Sequence, residues 1–403
     1  MRRNAVVITA ALLAASFVAG ACSDDSDDSS SSVAGDETRT VDRSTTGSEV
    51  DSAASTESSD DEVATGLERA RSEAAKYSET PTDLGAFSGA TPLPTVPGPG
   101  RRLGFVECPL PTCSIVGDGV EEAIAAVGWE FVPVTYQAAD PSTIAGAIQQ
   151  LLDQDVDYIA LTGGEPFEYY AELLEEAKAQ GVEVLDSFSA HEVDPDGTGI
   201  YSCVGCVPFY GALISSLTNW IIADSGGNAH VITLNLGGLT LLETFNPTVE
   251  STLADNCPTC TIDLVEVTAT EFGAGAAPGK VVAAVEAAPG ESYLLVAFGD
   301  LGGGVVDALE TAGLADKVTI VVADANTSDI SNLEAGRVAA VTGNATFVGG
   351  YALVDAALRL DQDVWDQATL TEVLPFQIWT PDDESIEPMV DFGPQFRQLW
   401  GIE

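Results

Sequence analysis

Residues 103–131, LGFVECPLPTCSIVGDGVEEAIAAVGWEF, contain the pattern that decides the fold. The apolar run at 103–106 predicts a short buried strand, and a helical pattern follows at 119–127. The next strand is predicted at Glu130–Thr135. A helix between two short buried strands is typical of a parallel sheet covered on both faces, with right-handed crossovers. The stretch therefore predicts one repeat of a doubly wound α/β layer.

The same alternation continues along the chain. Further helices are predicted at 144–152 and 169–179, and further strands at 156–161, 182–185, 229–234, 261–267, 293–297 and 318–322. The part of the chain from Arg101 holds roughly 300 residues, which suits two lobes better than one core. The predicted fold class is α/β, with two doubly wound parallel-sheet lobes. Ligands in such layers bind beyond the carboxyl ends of the strands.

The N-terminus has the features of a secretory signal peptide. Arg2 and Arg3 precede an apolar stretch at 5–17 and the small residues 19–21. Cys22 follows directly, and the acidic run 23–28 comes after it. This order resembles a bacterial lipoprotein signal, in which the cysteine is lipidated; the alternative is ordinary secretion with an incidental cysteine. We predict a signal peptide at 1–21, lipidation of Cys22, and a location at the cell membrane on its extracytoplasmic face.

Residues 22–100 are predicted to form an acidic, Ser-rich, disordered tether that contains a short helix at 63–77 and a Pro-rich spacer at 92–100. The net charge of the chain is −48, and loss of Arg2 and Arg3 with the signal peptide brings it to −50. Such a chain is repelled by nucleic acid, so we expect no nucleic-acid partner. The acidic excess is explained either by solubility or by attraction of a cationic ligand.

The cysteine spacing predicts local disulfides. Seven cysteines are present, and six of them form the close pairs Cys108/Cys113, Cys203/Cys206 and Cys257/Cys260. With Cys22 set aside for lipid, an even set remains, as expected outside the cytoplasm. Two alternatives stay open, namely a four-cysteine zinc site and a thioredoxin-like redox centre at Cys203 and Cys206. We favour structural disulfides and expect no metal.

The sequence offers little that could perform catalysis. His191 and His230 are the only histidines, and neither has a Ser or Cys partner at a recognisable spacing. The glycines at 302–304 follow a strand but lack the G-x-G-x-x-G spacing of a dinucleotide site. We therefore predict a protein that is not an enzyme and needs no cofactor.

The body from Arg101 to about Asp361 resembles the type I periplasmic binding proteins, the sugar-type substrate-binding lipoproteins of ABC importers. The resemblance rests on the order of 103–131, QQLLDQDVDYIAL, ELLEEAKAQGVEVLDSF, VAFGDLGGGVVDALETAGLADKVTIVVADA and SNLEAGRVAAVTGNATFVGGYALVDAAL. The turn that contains Cys108 and Cys113 is similar to an actinobacterial branch with unassigned ligands. The resemblance implies three hinge crossings, lobe 1 at 101–202 plus 344–372, and lobe 2 at 203–343 plus 373–403.

The chain also departs from the sugar binders it resembles. Thr112 and Cys113 stand where those proteins carry a pair of stacking rings, and Phe245 stands in place of an arginine. Carboxylates remain at family-like positions, including Asp186, Asp300 and Asp324. A site with carboxylates and phenyl rings favours a neutral or cationic, partly apolar ligand over a simple sugar. The full set of predicted ligand-binding residues is Glu107, Thr112, Glu165, Asp186, Phe188, Phe245, Phe298, Asp300, Asp324 and Asn344.

The resemblance implies a lipid-anchored receptor that captures a small solute between its lobes and delivers it to an ABC permease. We expect a monomer whose membrane contact is limited to the lipid. A sensory receptor with the same hinged lobes is the first alternative, because only the partner distinguishes the two roles. The second alternative is a thiol-disulfide enzyme that uses Cys203 and Cys206.

Overall fold

The computed structural model describes residues 54–84, 91–137, 140–344, 346–365, 374–383 and 391–402. The predicted signal peptide and Cys22 lie outside the described residues. Two separate sheets form the framework of the described chain, and each is the centre of one lobe.

The sheet of lobe one contains five parallel strands in the order β2-β1-β3-β4-β5. These strands are β1 (Arg102–Glu107), β2 (Glu130–Thr135), β3 (Tyr158–Leu161), β4 (Glu183–Ser187) and β5 (Ile200–Val204). Strand β2 lies on one side of β1, and the following strands, from β3 on, lie on the other side. The strand order therefore reverses at β1, and a topological switch point lies between β1 and β3. A crevice for a ligand forms at such a point, beyond the carboxyl ends of the strands.

The sheet of lobe two repeats this order and adds an antiparallel strand, giving β11-β10-β9-β8-β6-β7. Its strands are β6 (His230–Leu236), β7 (Thr261–Val267), β8 (Ser292–Val296), β9 (Val318–Val322), β10 (Ala340–Asn344) and β11 (Phe376–Trp379). Here the switch point lies between β6 and β8. The two lobes thus confirm the predicted fold class.

Helices cover both faces of the sheets. They are α1 (Ala54–Ala75), α2 (Pro111–Val127), α3 (Ile144–Leu152), α4 (Ala171–Gln180), α5 (Val207–Asp224), α6 (Phe245–Asn256), α7 (Ala269–Gly273), α8 (Ala277–Ala287), α9 (Val305–Thr311), α10 (Thr327–Glu334), α11 (Thr346–Asp361) and α12 (Gly393–Leu399). Helix α2 begins with a proline in its first turn and ends at Gly128, whose φ of 72° is left-handed.

The chain passes between the lobes more than once. It leaves lobe one after β5, because the following helix, α5, packs on the strands β10 and β11 of lobe two. It returns after β10, since α11 packs on α2, β4 and β5 of lobe one. It then crosses again to reach β11 in lobe two. The three crossings match the hinge that the resemblance implies.

A close approach of two helices fixes α11 in lobe one. Gly119 of α2 faces Gly350 of α11, and a Cβ atom on Gly350 would overlap the backbone of Val116 and Val120. Glycine is therefore required at this contact, where the two helix backbones touch.

The structure differs from the sequence prediction before Arg101. The composition predicts that the folded part begins at Arg101, but α1 packs on α5 and α6, and Ala70 is fully buried. The ring of Tyr77 stacks on Phe376 with centroids 4.2 Å apart. Further along, the indole N–H of Trp129 donates to the carbonyl of Gly98 at 2.8 Å. Residues of the expected tether thus belong to the folded body.

The described residues contain neither a membrane-spanning helix nor a metal-ligand cluster. No helix among them is both long and apolar enough to cross a membrane. Nor do they contain a group of three or more His, Cys, Asp or Glu side chains arranged as metal ligands.

Candidate functional site

The two switch points face each other across one cleft. From lobe one, the cleft is lined by Cys108, which follows β1, and by Gly163 and Glu165, which follow β3. From lobe two, it is lined by 236–239 at the end of β6. Phe298, just beyond β8, lies in its inner part. The sheet topology therefore brings loops from both lobes to a single binding crevice.

The inner part of the cleft is a small apolar cavity of about 80 Å³. Its walls consist of the Cys108–Cys113 disulfide and mostly apolar side chains: Leu110, Thr112, Val116, Phe188, Phe209, Tyr210, Leu213, Leu239, Leu241, Leu242, Phe298 and Asp324, together with Gly163. Since these residues come from both lobes, a ligand in the cavity would contact both.

The outer part of the cleft has a volume of about 870 Å³. Cys108, Leu110, Gly163 and Leu239 line the outer part as well as the inner one, so the two parts adjoin each other. The other side chains of the outer part include Tyr136, Tyr169 and Phe272.

Glu165 is the buried charge of the outer cleft. The residue is only 5% exposed, and its Oε1 accepts a 2.6 Å hydrogen bond from the hydroxyl of Tyr136. Its Oε2 is buried without a hydrogen-bond partner among the described residues. Burial raises the pKa of Glu165, and the bond from Tyr136 opposes that rise only in part. A donor on a ligand would satisfy the remaining oxygen.

Two inner-cavity residues have a strained backbone. Phe188 has φ of 53° and Asp324 has φ of 46°, values that L-residues with side chains of this size rarely adopt. The ring of Phe188 packs over Gly205, where a Cβ atom would lie 2.7 Å from the ring. Strain of this kind clusters at binding sites, where the surrounding structure holds it in place.

Hydrogen bonds join the lobes at the edges of the cleft. The hydroxyl of Thr112 donates to Asp300 at 3.0 Å, which links α2 to the loop after β8. On another edge, the hydroxyl of Thr240 donates to the carbonyl of Gly164 at 3.0 Å and accepts from the amide of Ala190 at 3.1 Å. The lobes are therefore bridged around the cavity.

A sequence profile of the family described as periplasmic binding protein domain matches residues 112–362. The chain belongs to the periplasmic binding protein family. This membership confirms the prediction of a binding protein rather than an enzyme. A comparison with curated protein sequences finds no match.

Solved structures support the same fold for this periplasmic binding protein. An ABC transporter solute-binding protein from Burkholderia graminis, in complex with D-arabinose, is 17% identical with a TM-score of 0.62, covering 72% of this chain and 99% of that one. The Caulobacter myo-inositol binding protein is 18% identical, with a TM-score of 0.58. The match covers 71% of this chain and 95% of that one. The 5-methylthioribose transporter solute-binding protein from Thermotoga lettingae is 19% identical, with a TM-score of 0.59. The match covers 70% of this chain and 85% of that one.

Half of the predicted ligand-binding residues line the cleft of this binding protein: Thr112, Glu165, Phe188, Phe298 and Asp324. Four others, Glu107, Asp186, Phe245 and Asp300, are not among the residues that line it. Glu107 accepts a hydrogen bond from Ser114 at 2.6 Å, and Phe245 is fully buried in the core. Neither residue lines the cleft in the described arrangement, and their contact with a ligand stays a prediction.

Of two more predicted residues, Asp300 and Asn344, the structure describes only the side chain of Asp300. Asp300 lies at the edge of the cleft, where its carboxylate is bonded to Thr112. Asn344 is the last residue of β10, and its side chain lies outside the described part of the chain. The role of Asn344 in ligand binding thus stays a prediction.

Asp186 was also predicted to bind ligand, but it holds a buried network behind the cleft. Its carboxylate accepts from the amide of Ser187 at 2.8 Å and the hydroxyl of Ser189 at 2.6 Å. The Nδ1 of His191 lies 2.6 Å away from it. Burial disfavours the charged imidazole, but the hydrogen bond and charge of Asp186 raise the pKa of His191 above its ordinary value. With both oxygens occupied, Asp186 shapes the loop rather than contacting the cleft.

A second carboxylate cluster lies behind Asp300. Asn326 donates to Asp300 at 3.1 Å and also caps α10 by accepting from the amide of Asp329. Burial raises the pKa of Asp329 to about 6, although a hydrogen bond from the amide of Asn326 lowers it, and the charges of Asp300 and Asp324 add to the rise.

Several lining residues were missed by the sequence analysis. Tyr136 directly follows β2, so the rule of strand ends could have found it. Phe209, Tyr210 and Leu213 lie in the first turns of α5, immediately after the first crossing between the lobes. No local signal marks them as lining residues, because their position depends on where the chain changes lobe.

The three predicted cysteine pairs are all disulfide-bonded in the structure, as Cys108–Cys113, Cys203–Cys206 and Cys257–Cys260. The first bridge forms part of the cavity wall. Cys203 and Cys206 are only 2% and 5% exposed, at the crossing from β5 to α5. A buried bridge presents no sulfur to a substrate thiol, which argues against the redox alternative.

The bridge between Cys257 and Cys260 differs from the other two in its position. It closes the turn between the end of α6 and the start of β7, and neither of its cysteines lines the cleft. Cys257 is buried, whereas Cys260 is half-buried, and the Sγ of Cys260 accepts from the amide of Ala229 at 3.2 Å. Cys260 is thus a structural residue of lobe two and does not belong to the binding site.

Proposed function

We propose that this periplasmic binding protein captures a small neutral or cationic solute, partly apolar in character, outside the cytoplasm and delivers it to an ABC permease. The observation that carries the proposal is the cleft, whose walls combine phenyl and leucine side chains with the carboxylates of Glu165 and Asp324 and come from both lobes. A ligand held there stabilises the closed arrangement by contacting both lobes, and the chemical identity of the ligand is unchanged.

The proposed ligand differs from a simple sugar. The structural neighbours named above carry D-arabinose, myo-inositol and 5-methylthioribose. The first two are fully hydroxylated, whereas this chain has an inner cavity with apolar walls. Hydroxyl groups placed against such walls would lose hydrogen bonds to water without replacing them. We therefore expect weaker binding of pentoses and polyols than of ligands with an apolar part.

The remaining predicted features belong to the same proposal. The proposed lobe boundaries are 101–202 plus 344–372 and 203–343 plus 373–403. The packing of α11 on α2 and the pairing of β11 with β10 support this division, whereas α12 packs on α11 and so lies with lobe one. Cys22 carries the lipid that holds the protein at the extracytoplasmic face of the membrane as a monomer. Release of a Cys22→Ser variant from the membrane fraction, with loss of labelling by a radioactive fatty acid, tests the anchor.

A ligand screen with two readouts tests the central claim. A ligand that binds only the folded protein raises the thermal unfolding midpoint by mass action. Closure around it lowers the radius of gyration measured by small-angle X-ray scattering. The panel comprises pentoses, hexoses, inositols, nucleosides, alcohols and amines. The proposal predicts a midpoint shift together with a smaller radius for at least one class, with the compound recovered intact. No shift with any class, or chemical conversion of a compound, would refute it.

A further inference from the structure

The polar group that sets the chemistry of the cleft is Glu165. Its Oε1 is already bonded to Tyr136, whereas its Oε2 is buried and has no partner within the described part of the chain. A buried carboxylate oxygen without a hydrogen bond is unfavourable, because the oxygen has lost its water and gained nothing in return. Glu165 lines the outer cleft, so a rotation of its carboxylate would bring Oε2 within reach of a ligand there.

The charges around the cleft select the kind of donor. Among the described residues that line the two parts of the cleft there is no Lys, Arg or His, whereas Glu165 and Asp324 are present. The whole chain adds to this field with a net charge of −48. An anionic ligand would be repelled, and a cationic donor would be attracted both at long range and at contact. A hydrogen bond from an ammonium group to a carboxylate is also stronger than one from a neutral hydroxyl.

The inner cavity selects the rest of the ligand. Its volume of about 80 Å³ corresponds to roughly two or three water molecules at about 30 Å³ each, so it admits one end of an apolar ring or chain while the rest of the ligand lies in the outer cleft. Phe188, Phe298, Leu213 and Leu239 contribute to its walls. Because Leu239 also lines the outer cleft, one molecule can extend from the cavity to Glu165.

We propose that the ligand class of this protein is amphiphilic amines, with an apolar ring or chain that enters the inner cavity from the outer cleft and an ammonium group hydrogen-bonded to Oε2 of Glu165. This inference rests on the proposed solute-binding function and specifies its ligand. The amine forms no covalent bond with the protein and leaves unchanged on opening of the lobes.

Three probes of matched shape test the proposal by isothermal titration calorimetry: 2-phenylethylamine, 2-phenylethanol and 3-phenylpropionate. They carry the same ring with a cationic, a neutral and an anionic end. The expected order of affinity is amine, then alcohol, then carboxylate. A charge-assisted hydrogen bond corresponds to roughly a 10- to 100-fold advantage of the amine over the alcohol.

Substitutions in the cleft test the contact of the ammonium group and the contact of the apolar part separately. Glu165→Gln keeps an acceptor for Tyr136 but removes the charge. It should raise the Kd of the amine at least about 10-fold and change the Kd of the alcohol by less than about 3-fold. Glu172→Gln is the matched control, since Glu172 is exposed on α4 and outside the cleft, and it should change neither. Leu239→Trp should raise the Kd of the amine and of the alcohol alike, because the larger side chain fills space where the inner cavity adjoins the outer cleft. If Glu165→Gln does not fold, Glu165→Asp withdraws the carboxylate by one methylene and is expected to weaken the amine selectively.

The outcomes are distinguishable. An alcohol that binds as tightly as the amine, or an amine unaffected by Glu165→Gln, overturns the inference. Tight binding of inositol or a pentose without binding of the amine overturns the inference while leaving the solute-binding function intact. Absence of binding by every probe and by the whole screening panel refutes both.

Discussion

Closure of the lobes should depend on the side chain of Thr240. Its hydroxyl makes two hydrogen bonds across the cleft, one donated to the carbonyl of Gly164 at 3.0 Å and one accepted from the amide of Ala190 at 3.1 Å. In an open arrangement these groups would bond to water instead. The substitution Thr240→Ala therefore weakens the closed form selectively, while the backbone bond from Thr240 to Gly164 at 2.9 Å remains.

The size of the effect follows from the number of bonds lost. A neutral hydrogen bond contributes about 0.5–1.5 kcal/mol net, so two of them in a half-buried position contribute about 1–2 kcal/mol. This corresponds to a shift of the closing equilibrium by about 5- to 30-fold. Where the closed form is the minor state of the free protein, the Kd of any ligand that requires closure rises by the same factor.

The assay combines scattering with a binding titration. At a given ligand concentration, the radius of gyration of Thr240→Ala should stay closer to that of the free protein, and a higher concentration should be needed to reach the closed value. Thr248→Ala is the control, because the hydroxyl of Thr248 bonds only within its own region of lobe two, to the carbonyl of Thr244 at 2.8 Å. If Thr240→Ala and Thr248→Ala give the same curves and a Kd within about 2-fold of the unmodified protein, the bonds at Thr240 do not contribute to closure.

Three other perturbations have expected outcomes. Gly350→Ala should lower the free energy of unfolding by about 1–3 kcal/mol, because the added Cβ atom overlaps the backbone of α2. Gly146→Ala is the control and should be neutral or stabilising, because the space around its Cβ position is open. Equal denaturation curves for the two variants would contradict this. Burial raises the pKa of Asp329 to about 6, so the folded protein retains a proton that the unfolded chain releases above about pH 4. Stability should therefore increase by about 1 kcal/mol as the pH falls from about 7.5 to about 5, and a rise of the same size in Asp329→Asn would exclude this carboxyl as its source. A chain that begins at Arg101 should unfold several degrees lower than one that begins at residue 52, because the contacts of Ala70 and Tyr77 are lost; an unchanged midpoint in calorimetry would contradict the packing of this segment.

The sequence predicted several strands and one helix with the bounds that the structure gives them. The bounds of β2, β7 and β9 agree with the predicted ranges, and α3 agrees as well, because β-branched runs and an amphipathic helix have clear periods. The predicted strand ranges do not include β5, β10 or β11. The reason is clearest for β5 and β11. Their sequences, IYSCV and FQIW, are short and interrupted by polar residues, and their strand state depends on pairing with distant segments.

The site was predictable only where it follows from strand ends. Glu165 was found because it comes soon after β3, and the parallel topology brings the ends of neighbouring strands to one edge. The orientation of a side chain at such an end is not encoded locally. Asp186 and Glu165 both follow or end buried strands, yet three neighbours occupy the carboxylate of Asp186, and one oxygen of Glu165 has no partner among the described residues.

The segment before Arg101 shows how a sequence composition can mislead and why this matters for the mechanism. Its large apolar residues are few, but Leu67, Tyr77 and Leu84 pack on the core. Close backbone contacts add to this packing, as where Gly66 of α1 approaches the carbonyl of Asn256 in lobe two. Later in the segment, the carbonyl of Thr91 accepts from Arg359 at 2.7 Å on α11 of lobe one. One stretch of chain is thus attached to both lobes. Opening of the cleft must release one of these attachments or bend the stretch between them, so the segment limits the hinge motion as well as adding stability.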